Sequence, residues 1–240
     1  RVLLTRATRI RVVSARSRET ITDTLTNRPV VQLPVAIDLA AFTPDGPSAT
    51  LPFSEDSFVF LSVARFVPQK NLPLLVEAFA EVYAENPRAR LLLVGDGSLH
   101  QPLAARLQQL LPAADASERP YHILPWSNDV PALLRAADTY VLSSDYEGWA
   151  RVLIEAICCG LPVVTTDVGC AGEVIEDGVH GRVVPVRDRA ALASAMTQLM
   201  NDTTFRAHVS AHLAQLDRHA LPGTNRASYG EAWRQAMLGW

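Results

Sequence analysis

Two carboxylates stand eight residues apart in the stretch Glu147-Gly-Trp-Ala-Arg-Val-Leu-Ile-Glu155. Glu147 follows the apolar run Thr139-Tyr-Val-Leu-Ser-Ser144 and directly precedes a glycine. Glu155 is the only acid in the otherwise apolar segment Val152-Leu-Ile-Glu-Ala-Ile-Cys-Cys159, which stops at Gly160-Leu-Pro162. A helix that is apolar on nearly all sides is a buried helix, and Gly then Pro is a normal way to end one. A carboxylate on such a helix needs a partner, because unpaired burial either costs several kcal/mol or neutralises the group. An arginine or backbone amides would make Glu155 a structural anchor. A polar ligand at the helix start would make it a binding group. The order of strand, acidic turn and helix start favours the ligand, since open parallel sheets bind beyond the carboxyl ends of their strands. Helix N-termini also offer unpaired N–H groups and partial positive charge to phosphate. The backbone from Gly148 through Trp149 and Ala150 to Arg151 is therefore a candidate phosphate seat, with Glu147 and Glu155 on either side.

A second constellation is Arg65-Phe-Val-Pro-Gln-Lys70, between the apolar run Phe58-Val-Phe-Leu-Ser-Val63 and an amphipathic segment, Leu72 to Tyr83. Lys70 is the only lysine in the chain. Arginine presents a flat fork of donors, whereas lysine is a compact point charge suited to phosphate. A solvated surface turn with two cations is the plainer reading of this pair taken alone. Both the cations and the carboxylates, however, fall at strand ends of one expected sheet.

The elements that must position these groups follow from periodicity. Apolar strands near residues 58–63, 90–94, 121–125, 139–143, 162–166 and 182–186 alternate with helical stretches. That alternation predicts an α/β fold, a doubly wound parallel sheet covered on both faces. Amphipathic helices are expected at Asp188 to Met200, Thr203 to Leu216 and Arg226 to Trp240, the last with Tyr229, Trp233, Met237 and Trp240 as packing residues. Ile10 to Ser14 and the polar helix after it read as the last strand and helix of a preceding domain, and Val30 to Phe42 as an interdomain linker. Gly95-Asp-Gly97 is a strand-to-helix turn without the full dinucleotide fingerprint, a weak phosphate signal.

Bulk properties narrow the function. At 240 residues and 48% hydrophobic, the chain can bury a sizeable core. A net charge of −3 argues against a nucleic-acid partner. The first eighteen residues hold six arginines and no acid. They read as a solvated face, or as a patch by which the protein could touch acidic lipid head groups. No stretch has the ~18 apolar residues of a membrane span. Three cysteines make no disulfide framework, and Cys158 and Cys159 read as core residues of a cytoplasmic protein. The six histidines stand apart, in surface or packing roles, and neither a zinc spacing nor an Asp-x-Asp metal motif is present. No signal-peptide pattern is present and the chain starts at Arg1, which reads as a fragment of a longer protein.

Ser62-Val-Ala-Arg65 with Lys70, Leu92-Leu-Val-Gly-Asp-Gly97, Asp129-Val-Pro-Ala-Leu-Leu134, Ala137-Asp-Thr-Tyr-Val-Leu-Ser-Ser144, Glu147-Gly through Glu155-Ala, and Gly160-Leu-Pro-Val-Val164 occur in that order. Together they resemble the C-terminal, donor-binding half of retaining nucleotide-sugar glycosyltransferases of the GT-B fold, the group 1 family, over about Ser54 to Leu199. The resemblance implies a Rossmann-like donor domain over residues 36–220. Residues 1–35 would be a remnant of the N-terminal acceptor domain with its linker, and 221–240 a helix crossing back to that domain. It implies that Arg65 and Lys70 bind the diphosphate of the donor and stabilise charge on the departing nucleotide. Glu147 would contact donor-sugar hydroxyls, and the backbone at Trp149, Ala150 and Arg151 would hold the distal phosphate. Glu155 would chelate the ribose hydroxyls, and the base would sit near Pro125, Trp126 and Val130. No metal or other cofactor is implied, the nucleotide-sugar being a substrate.

The chain departs from the family pattern at Ala36, Ala64, Pro125 and Ala150, where glycine is usual. A non-catalytic nucleotide-sugar binding module is therefore the alternative reading. A nucleotide-sugar 2-epimerase shares the fold, but the spacing of the two glutamates argues against it.

Overall fold

The structure is a computed structural model and describes residues 10–22, 29–113, 115, 119–224, 229–231 and 233–235. Six parallel strands form the central sheet: β3 (Phe58–Val63), β4 (Ala89–Val94), β5 (Tyr121–Leu124), β6 (Thr139–Leu142), β7 (Val163–Thr166) and β8 (Gly181–Val184). They lie in the order β5-β4-β3-β6-β7-β8, so the chain winds outward from β3, then returns to pair β6 against β3 and winds the other way. The expected α/β, doubly wound sheet is thus the observed one, with each strand within a residue or two of its expected span.

Period-two alternation explains why both faces are covered. Val59, Leu61 and Val63 of β3 with Leu92, Tyr140 and Val163 face one core, shared with Leu133 and Leu134 of α4 (Val130–Ala136) and Leu153, Ile154 and Ile157 of α5 (Arg151–Cys158). Phe60 with Leu91, Leu93, Val141 and Val164 faces the other. There they meet α2 (Leu72–Glu85), α3 (His100–Leu110) and α6 (Arg189–Asn201). In α2 the buried residues Leu72, Leu75, Val76, Phe79 and Val82 follow the helical repeat and form one stripe. Asp129, Asp188 and Asp202 cap α4, α6 and α7 (Thr203–Ala214), each accepting from the backbone N–H three residues on, worth about 1 kcal/mol apiece.

The turn at Gly95-Asp-Gly97 serves packing. A Cβ at Gly95 would lie 1.9 Å from the Ala64 carbonyl oxygen, and one at Gly97 2.5 Å from that of Phe66. The two glycines let the loop after β4 press against the loop after β3, sealed by Phe66 N–H donating to Asp96 O at 2.8 Å.

At the N-terminal end, β1 (Ile10–Val12), α1 (Ala15–Thr22) and β2 (Val30–Gln32) form a separate two-stranded parallel sheet with its helix. The first three residues of the expected linker are therefore strand, because Val30 and Val31 find partners in Ile10 and Arg11. This unit is docked on the loop after β7. Arg16 donates to the Asp167 carboxylate and carbonyl and to Ala171 O, while Glu173 accepts from Ala15 N at 2.8 Å and Gln32 Nε2 at 2.6 Å. Residues 229–231 and 233–235 are helical, and the Arg11 guanidinium lies 4.8 Å over the Trp233 ring and 3.4 Å from the Tyr229 hydroxyl. The rest of the expected Arg226 to Trp240 helix, with Met237 and Trp240, lies outside the described residues, as do Arg1, Arg6 and Arg9.

Candidate functional site

The strand order reverses between β3 and β6, and the loops leaving their carboxyl ends are neighbours there. Five polar contacts join them. Asp145 N–H donates to Gln69 O at 2.9 Å, and Gln69 Nε2 to Tyr146 O at 2.9 Å. Ser143 Oγ donates to Lys70 O at 3.0 Å, and Asn71 Nδ2 to Asp145 Oδ1 at 2.8 Å. The fifth contact pairs a cation with an anion: Lys70 Nζ lies 2.5 Å from Glu147 Oε1, which also accepts from Ser144 Oγ at 2.7 Å.

Lys70 ends a 3-10 turn, Pro68–Lys70, that is closed by Asn71 in the left-handed region at φ 43°. This compact turn aims the lysine across the switch point toward Glu147. Arg65 is exposed, and its guanidinium makes no hydrogen bond or ion pair with any described residue. Of the cations at this site, Lys70 is thus already paired, while Arg65 has no ionic partner among the described residues.

A cleft of about 430 Å³ opens at this point. Of the residues expected at a site, Arg65, Lys70, Trp126, Val130, Glu147, Trp149, Ala150, Arg151 and Glu155 line it. Pro125 is exposed beside Trp126 without lining the cleft, and Gly148 turns away, its Cα side facing Val13. Trp126 is 58% exposed, an unburied aromatic face at the cleft wall.

Helix α5 points its N-terminus into the cleft. Its cap, Ala150, sits at φ 58° and ψ 55°, a left-handed conformation that costs a non-glycine residue about 1 kcal/mol. The alanine that replaces a usual glycine therefore keeps the backbone geometry that glycine would adopt. The loop after β7 holds this turn, with Cys170 N–H donating to Trp149 O at 3.1 Å. Glu155 is 5% exposed and paired with Arg151, whose Nε lies 2.7 Å from Oε1. Burial raises its carboxyl above the ordinary carboxylate range, while Arg151 pulls it down.

Sequence reasoning missed several contributors. Val35 and Phe42, from the segment read as linker, line the cleft along with Val63, Ala64 and Val152. Ile37 N–H donates to Gly223 O at 3.0 Å, fixing that segment in place. Asp145 was not singled out either. Its carboxylate takes Arg187 Nε and Nη2 at 3.0 and 2.8 Å, which holds its pKa below the ordinary range. The cysteines behave as core. Burial pushes the Cys158 thiol up to about 12, Cys159 to about 11 and Cys170 to about 12. His180 is a packing residue, accepting Glu176 N–H on Nδ1 at 3.1 Å.

The family model for glycosyl transferases group 1 matches residues 48–213, more than half of the chain. The chain belongs to the group 1 glycosyl transferases. Among curated relatives, the D-inositol 3-phosphate glycosyltransferase of Geodermatophilus obscurus is 34% identical over 184 residues, covering 72% of this chain and 40% of its own length. The UDP-Gal:alpha-D-GlcNAc-diphosphoundecaprenol alpha-1,3-galactosyltransferase of Escherichia coli is 29% identical over 178 residues, covering 71% and 45%. The chain thus spans less than half the length of these relatives. Among solved structures, Anabaena HepE in complex with UDP and glucose superposes with a TM-score of 0.80 at 22% identity, over 98% of this chain and 64% of HepE. The pneumococcal O-GlcNAc transferase GtfA, in complex with UDP and GlcNAc, gives 0.78 at 19% identity over 99% and 46%. At these identities the likeness establishes the fold, an α/β domain of the GT-B kind. No helix among the described residues is long and apolar enough to cross a membrane.

Proposed function

We propose that this chain binds a nucleoside diphosphate sugar and, in the full-length enzyme, transfers the sugar to an acceptor with retention of configuration. The observation that carries the reading is a single cleft at the strand-order reversal. It is lined by Arg65 and Lys70 from one loop, and by Glu147, the α5 N-terminus and Glu155 from the other. Two cations and a helix N-terminus suit a diphosphate. In this reading Arg65 and Lys70 stabilise the negative charge that grows on the departing nucleotide, the role that preorganised charges serve in group transfer. Glu147 takes donor-sugar hydroxyls, and the backbone of Trp149 to Arg151 takes the distal phosphate. Glu155 takes the ribose hydroxyls, and the base lies against Trp126 and Val130 near Pro125. HepE and GtfA, which share the fold, were solved with UDP and a sugar.

The acceptor would be held by an N-terminal domain of the same enzyme, docked through the β1-α1-β2 unit. The charges needed by the diphosphate are protein side chains, so we assign binding without divalent metal or other cofactor. Three free buried cysteines fit the reducing cytoplasm. Calorimetric titration with a panel of nucleoside diphosphates and their sugars, in excess chelator, tests the reading. Binding of at least one nucleotide and its sugar is expected. Failure of the whole panel refutes the donor site, and binding that vanishes only with chelator refutes metal independence.

A further inference from the structure

The ammonium of Lys70 is already engaged by a protein carboxylate. It lies 2.5 Å from Glu147 Oε1, with the two side chains only 17% and 9% exposed. Among the described residues, the only other group donating to that oxygen is the Ser144 hydroxyl, at 2.7 Å. A diphosphate that draws on Lys70 shares its three N–H donors with Glu147 and so competes with this pair. It leaves a largely buried carboxylate short of a partner and close to a second anion, an arrangement that costs far more than it does in water. A nucleotide-sugar brings the remedy with it, since a sugar O–H can donate to Glu147 as Lys70 turns to the phosphate. A free nucleoside diphosphate brings none.

We propose that Glu147 sets the preference of this cleft for the nucleotide-sugar over the free nucleoside diphosphate, because only the sugar-bearing ligand supplies a donor to replace Lys70 at the carboxylate. The inference rests on the donor-binding reading above and adds to it an unfavourable action of Glu147 on the sugar-free nucleotide. In turnover, the same carboxylate helps expel the product once the sugar has left.

The test compares wild type, Glu147→Gln and Glu147→Ala by calorimetric titration with UDP, GDP and ADP and with UDP-glucose, GDP-mannose and ADP-glucose. A regained charge-assisted hydrogen bond corresponds to roughly ten- to a hundredfold in an equilibrium constant. Both variants should bind the free nucleotide about tenfold more tightly than wild type and the nucleotide-sugar less tightly. Glu155→Gln should weaken both ligands, so the sign separates the two glutamates. A measurement on wild type alone guards against variants that fail to fold. Saturating free hexose should tighten nucleotide binding, because coupling between two ligands is reciprocal, and this coupling should vanish in Glu147→Gln. Free-nucleotide affinity that is unchanged or lower in both variants, or the absence of hexose coupling in wild type, overturns the proposal while leaving the donor site standing. Wild type that binds none of the six ligands overturns both.

Discussion

Glu155 gives the sharpest test of whether the cleft is built for a ligand at the expense of the fold. Its side chain is 6% exposed and its one ionic partner, Arg151, is itself 56% exposed. Burial outweighs that partner and raises the carboxyl pKa. A carboxyl whose pKa is raised on folding binds its proton more tightly in the native state. Its contribution to stability is complete below the unfolded value, about 4.3, and is lost as pH rises through the folded value. Glutamine keeps the shape and removes the charge. Glu155→Gln should therefore raise the stability of the unliganded chain at pH 7, by an amount on the order of 1 kcal/mol. In a domain of this size that is about 2–4 °C in melting temperature. The advantage should shrink as pH falls toward 4 and both side chains become neutral. Nucleotide affinity should move the other way, losing a charged hydrogen bond worth about 1.5–3 kcal/mol. Melting curves of both proteins between pH 4 and 8, paired with nucleotide titration, read both effects. If Glu155→Gln lowers apo stability at pH 7, or its effect is independent of pH, then Arg151 outweighs burial. The carboxylate would then be a structural anchor.

Three further outcomes are expected. Asp145→Ala should cost about 1 kcal/mol, since its ion pair with the exposed Arg187 is screened by solvent while the hydrogen bond from Asn71 is lost with it. It should nevertheless weaken nucleotide-sugar binding several-fold by loosening the loop that carries Glu147, as urea unfolding and titration would show. Ala150→Gly should hold stability within about 1 kcal/mol, strain relief offsetting a lost methyl and added chain entropy, whereas Ala150→Val should cost more than about 2 kcal/mol because a β-branched residue resists φ near +60°; equal effects in urea unfolding would show that the left-handed cap is not what constrains this position. Residues 1–240 incubated with donor and a mixed acceptor pool should transfer sugar far more slowly than about 1 per second, because in the proposed function an N-terminal domain outside this chain positions the acceptor; turnover at ordinary rates would refute that part of the proposal.

The sequence by itself determined the elements and named most of the polar groups that line the cleft. Strand and helix periods are local, so β3 to β8 and the buried stripe of α2 could be read within a residue or two. The lone lysine five residues after Arg65, and the two glutamates flanking a helix start, announced a site because each group lies within a few residues of a strand end. What only the tertiary structure decided is which of these groups meet. Lys70 and Glu147 are 77 residues apart. They touch because β6 inserts beside β3 after two intervening strands have gone to the other side, and no local period encodes that order. The partner of Glu155, by contrast, is local: Arg151 stands one helical turn before it on α5. Sequence alone left Gly95 and Gly97 as a weak phosphate signal, whereas the approach of two backbones explains them as packing. It left Ala150 as a lost glycine, whereas the fold forces its left-handed turn through contacts from the loop after β7. Val35 and Phe42 read as linker because their partners, the cleft wall and the segment ending at Gly223, come together only when the whole chain has folded.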